Sequence, residues 1–87
     1  MPHKYYVYTP DVIVKSLAKI PLPWSARIKK VINSLAYQPF LGEKMKGDMA
    51  PRRKIKVWPY RIIYRIREEI KFIVIVEVEH RGNTSYD

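Results

Sequence analysis

The chain has 87 residues, with seventeen Lys and Arg against eight Asp and Glu, a formal charge of +9 and a pI near 9.9. Its length suits one domain spanning residues 1–87, and 47% hydrophobic with 29% charged residues is a folding composition that excludes a disordered tail or a fibrous protein.

Lys4 to Tyr8 is β-branched and aromatic and predicts a first strand. Thr9 is placed to cap a helix, with Pro10 at its first position and Asp11 favoured by the dipole. Ile13, Leu17 and Ile20 recur at helical spacing until Pro21 and Pro23 break the run. A second helix begins near Trp24, and Trp24, Ile28, Val31, Ile32 and Leu35 form its apolar stripe. Gln38 to Pro51, punctuated by Pro39, Gly42 and Gly47, reads as loop throughout.

The remainder predicts sheet. Arg53 to Trp58 alternates, with Lys54, Lys56 and Trp58 on one face and Ile55 and Val57 on the other. Tyr60 to Arg67 alternates again, setting Arg61, Ile63, Arg65 and Arg67 opposite Ile62, Tyr64 and Ile66. After a turn at Glu68-Glu69, Ile70 to Val78 is the apolar central strand. Its odd positions finish with Glu77, Glu79 and Arg81, and His80 faces the other way. The expected fold is α+β, in the order β-α-α-β-β-β, a two-helix hairpin packed on one face of a small antiparallel sheet. Trp24 and Tyr64 are assigned to the core.

Seven basic residues (Lys44, Lys46, Arg52, Arg53, Lys54, Lys56 and Arg61) fall within 18 residues that hold only Asp48 as an acid. Such a run is a solvated surface or a polyanion site, and its interleaving with strand residues favours the site, because alternation lines the charges along one face. With helices on the other face, Lys54 and Lys56 are exposed, and Arg61 and Arg81 join them if the registers agree. Trp58, Tyr60 or Tyr86 could stack on bases, against the plainer reading of each as core or rim packing. The chain has no cysteine, and its histidines, His3 and His80, are far apart, so no metal or other cofactor is expected. Glu77 and Glu79 read as an ion-pair cluster rather than as metal ligands. Phe72 to Val78 is too short and interrupted to cross a bilayer and no signal-peptide layout is visible, so no membrane partner and a cytoplasmic location are expected.

Lys44-Met45-Lys46-Gly47, Lys54-Ile55-Lys56-Val57, Tyr60-Arg61-Ile62-Ile63-Tyr64 and Val78-Glu79-His80-Arg81, in this order of elements, resemble the RelE/ParE superfamily of type II toxins over nearly the whole chain. The resemblance implies a toxin bound by a small acidic, RelB-like antitoxin in a hetero-oligomer. Its RelE branch cleaves mRNA on the ribosome without metal; its ParE branch poisons DNA gyrase. Lys54, Lys56, Arg61 and Arg81 match the basic catalytic set of the RelE branch, and Tyr86 resembles its C-terminal tyrosine, about one residue closer to the arginine. The resemblance implies Tyr86 as base and Arg81 as acid. His80 is an alternative acid or base if it turns toward the cleft, and otherwise a hydrogen-bonded strand-end residue. Lys44, Lys46, Arg52, Arg53 and Trp58 are candidate RNA contacts. A ribosome-dependent mRNA endoribonuclease is the favoured function; a ParE-like or other non-nuclease toxin of the same fold, or a basic nucleic-acid-binding module, are the alternatives.

Overall fold

A computed structural model describes residues 4–47 and 51–80. In chain order it forms β1 (Tyr6–Tyr8), α1 (Asp11–Ala18), α2 (Trp24–Ser34), β2 (Glu43–Lys44), β3 (Arg52–Val57), β4 (Tyr60–Arg67), a 3-10 turn (Glu68–Ile70) and β5 (Phe72–His80). The strands make one sheet in the order β1-β5-β4-β3-β2. Both helices lie on one face of it, as the alternation requires.

The core is where the two periodicities meet. Ile13 and Leu17 of α1, and Ile28 and Ile32 of α2 with Leu35 just beyond it, pack on Ile62 and Tyr64 of β4 and Ile73 and Ile75 of β5. Tyr64, Ile28, Leu35, Ile62, Ile73 and Ile75 are the largest fully buried side chains, and burial of this kind supplies about 1.5–3 kcal/mol per residue before entropy is counted. Trp24 departs from the expectation: it opens α2 half-buried and lies outside this cluster. Thr9 does not cap α1, which starts one residue later, with Ile13 and Val14 N–H groups donating to the Pro10 carbonyl at 2.9 and 3.0 Å.

The sheet is mixed rather than wholly antiparallel. β1 pairs in parallel with β5, Tyr6 opposite Phe72 and Tyr8 opposite Val74, with the helices and the other strands lying between them in sequence. The segment read as loop also holds a strand. Glu43 and Lys44 pair with Lys54 and Arg53, although two residues are too few to leave an alternating pattern.

A bulge in β5 changes which of its residues meet the core. Ile63 pairs with Glu77 but Tyr64 pairs with Ile75, so Val76 is the extra residue. The odd positions therefore do not share a face. Ile73 and Ile75 lie under the helices, whereas beyond the bulge Glu77 and Glu79 turn to the open side, opposite Ile63 and Arg61. An uninterrupted strand would drive both carboxylates into the apolar layer.

Candidate nucleic-acid interface

Directly opposed residues share a face, so the register fixes what the helix-free surface displays. Lys54 lies opposite Ile63, Lys56 opposite Arg61, and Arg52 opposite Arg65. Arg61 is opposite Glu79 on its other side, so Lys56, Arg61 and Glu79 form one row across three strands. Lys54, Lys56 and Arg61 thus converge on one open face, with Arg52 and Arg65 continuing it along the same strands. Ile63 sits between them and is buried.

Two of these cross-strand pairs, Lys56–Arg61 and Arg52–Arg65, are like-charged. Like charges directly opposite each other destabilise a sheet. A sheet chosen for stability alone would alternate the signs. Glu79 offsets part of the cost, since its Oε2 lies 3.1 Å from Arg61 Nη2. Arg61 Nε is buried and has no hydrogen-bond partner among the described residues. The expected ion-pair reading of Glu79 therefore holds, whereas Glu77 remains exposed on the same face.

Several sequence candidates are placed elsewhere. Arg53 lies on the helix side and is occupied by the fold: its Nη1 donates to the Gly42 carbonyl at 2.6 Å, and its guanidinium stands 5.0 Å from the centroid of the Phe40 ring. It buttresses a buried network in which the Gly42 N–H donates to Tyr64 Oη at 2.8 Å and Tyr64 Oη donates to the Pro39 carbonyl at 2.9 Å. Burial pushes the Tyr64 phenol above its ordinary pKa, with the Gly42 hydrogen bond and Arg53 pulling against it, so this tyrosine is a structural donor. Gly42 is required by close approach: a Cβ would come within 2.8 Å of the Lys54 carbonyl and 2.9 Å of Tyr64 Oη.

His80 also faces the helices. It pairs with Tyr60 across the strands, the rings edge-to-face at 4.9 Å, on the opposite side of the sheet from Lys56 and Arg61. Its buried Nδ1 meets no hydrogen-bond partner among the described residues. Its side of the sheet does not fit the turned-in acid or base, and at the strand end its ring packs edge-on against Tyr60. Lys44 pairs with Arg53, which directs it away from the Lys54 face, and Lys46 is exposed beyond β2. Trp58 is 70% exposed in the β3–β4 connection. Arg81 and Tyr86 lie outside the described residues. Arg65, which the strand alternation sets on the Arg61 face, is paired there with Arg52.

The fold is shared with solved toxins. The toxin–antitoxin complex RelBE2 of Mycobacterium tuberculosis matches with a TM-score of 0.79 and 26% identity, over 90% of this chain and 99% of that one. The RelE–RelB complex of Pyrococcus horikoshii OT3 matches at 0.76 and 24% identity over 93% and 99%, and isolated Escherichia coli RelE at 0.75 and 22% over 87% and 83%. Two helices on a mixed five-stranded sheet are therefore the RelE-like fold. Among curated proteins no relative matches the chain. Residues 6–84 match the family described as the ParE toxin of type II toxin–antitoxin systems, parDE. The chain belongs to that family, and so to the RelE/ParE superfamily of type II toxins.

Proposed function

We propose that this toxin is an mRNA endoribonuclease that acts inside the cell on translating ribosomes and is restrained by an acidic antitoxin. The observation that carries the reading is the gathering of Lys54, Lys56 and Arg61 on the helix-free face, with the like-charged Lys56 and Arg61 directly opposed, a pair that an anion would relieve. A phosphate supplies that anion. In the proposed step the 2′-hydroxyl attacks the adjacent phosphorus in line, its proton passes to a base, and the 5′-oxygen leaves with a proton, giving a 2′,3′-cyclic phosphate. The three cations stabilise charge on the non-bridging oxygens, an effect commonly worth about 3 kcal/mol for a well-placed donor. Strand pairing sets the spacing of their backbones beforehand. The family resemblance gives Tyr86 and Arg81 the proton transfers, with the ribosome orienting the substrate. His80 takes no part from the far side of the sheet.

The M. tuberculosis and P. horikoshii neighbours are complexes with an antitoxin, and a field of +9 suits an acidic partner here. A second reading, a gyrase-directed toxin, is favoured by the ParE description of the matched family and by the carboxylate of Glu79 in the cationic row. One experiment separates the two. Added to a translating extract, the wild-type protein is expected to cut mRNA at ribosome-occupied codons, leaving cyclic phosphate ends, and Arg61→Ala to lose at least tenfold of that rate, the loss of about 1.4 kcal/mol of transition-state stabilisation. Intact message together with inhibited gyrase supercoiling would overturn the nuclease reading.

A further inference from the structure

The Lys56–Arg61–Glu79 row contains a carboxylate where a phosphate-binding surface has least use for one. Glu79 is not placed there by default. The bulge at Val76 turns it out of the core onto the cationic face, and its side chain is only 17% exposed against the guanidinium it meets. It takes one nitrogen of Arg61, Nη2, at 3.1 Å. The neighbouring Nε, which with Nη2 forms one side of the guanidinium fork, is buried and has no acceptor among the described residues. An anion able to span both nitrogens satisfies Arg61 better than Glu79 does in this arrangement, and a phosphate group has the oxygens and the geometry for it.

Resting on the RNA-cleavage reading above, we infer that Glu79 is an internal stand-in for substrate: it holds Arg61 until an RNA phosphate displaces it, so the cationic row reaches full strength only on an engaged strand. Free RNA must compete with a tethered carboxylate. A message presented by the ribosome pays that competition from the larger set of contacts that orient it. Glu79 is thus a specificity-determining residue that lowers affinity for RNA at large, acting through Arg61. Glu77 is its natural control, an equally charged residue on the same face that is exposed and stands opposite Ile63 rather than an arginine.

The test uses a fluorescent single-stranded RNA with 2′-O-methyl riboses, which the protein cannot cleave, titrated by anisotropy over a range of salt. Glu79→Gln, which keeps the shape of the side chain, is expected to bind up to about fivefold tighter, the upper value for releasing an ion pair of this kind. Its log–log salt slope is expected to steepen by about 0.7, one further phosphate neutralised. Glu77→Gln is expected to do much less, and the gain is expected to vanish in Arg61→Ala/Glu79→Gln compared with Arg61→Ala. Equal gains from Glu77→Gln and Glu79→Gln, or a gain that survives loss of Arg61, would reduce the effect to bulk charge and overturn the inference. Weaker binding by a Glu79→Gln protein with an unchanged melting temperature would make Glu79 a brace for Arg61, which also overturns it. In both cases RNA binding that depends on Lys54 and Lys56 leaves the nuclease reading standing. No lysine-dependent RNA binding by any variant would sink both.

Discussion

Ile62 and Tyr64 leave β4 toward the helices and are fully buried, while Arg61 and Arg65, from the same strand, leave it toward solvent. On the helix side, apolar contacts are complementary and the deep phenol has both a donor and an acceptor. On the open side, like charges face each other and a buried guanidinium nitrogen goes unpaired among the described residues. The contrast shows where the fold spends its stability. Because the buried His80 Nδ1 is also unpaired among the described residues on the helix side, it is the like-charge opposition, confined to the open face, that marks the face kept for a ligand.

The largest effects belong to the covered face. Ile75→Ala, which opens a cavity between β5 and the helices, is expected to cost about 2–5 kcal/mol in urea unfolding, whereas Arg65→Ala on the exposed face should stay within about 0.5 kcal/mol. Comparable losses at the two positions would erase the distinction.

Smaller effects sharpen it at the sheet edge. Gly42→Ala must push either the β3 backbone or the Tyr64 ring and is expected to cost about 1–3 kcal/mol. Tyr64→Phe leaves the Gly42 N–H and the Pro39 carbonyl without a side-chain partner and should cost about 1–2 kcal/mol. Because the folded phenol has a raised pKa, its contribution is complete below the unfolded value of about 10 and is lost as pH climbs through the folded one. The alkaline limb of a stability-versus-pH curve should therefore be shallower in Tyr64→Phe than in wild type, and identical limbs would show that this phenol is not the group being titrated.

Much of this architecture could be read from the residues because long periodic segments announce themselves. Ile13, Leu17, Ile28 and Ile32 fall on the core side at helical spacing, and the alternation through Lys54, Lys56 and Arg61 places those cations together. Features set by pairing rather than by pattern were not legible. Nothing in Phe72 to His80 signals that Val76 is extra, since no glycine marks the bulge, and that single residue decides whether Glu79 meets the core or Arg61. Arg53 looks like its basic neighbours, and only the approach of Gly42 and Phe40 shows that it is committed to the fold. The parallel pairing of β1 depends on a partner 66 positions away, Tyr6 against Phe72, which no local signal specifies.

The central claim is that the lysines of the open face carry the toxin's action and are not what holds the domain together. Lys54→Ala/Lys56→Ala tests it most directly, with growth arrest on induction and thermal unfolding measured on the same variant. The account predicts that arrest is lost while the melting temperature stays within a few degrees of wild type or rises as the repulsion with Arg61 is relieved. Undiminished arrest by a folded variant would contradict it.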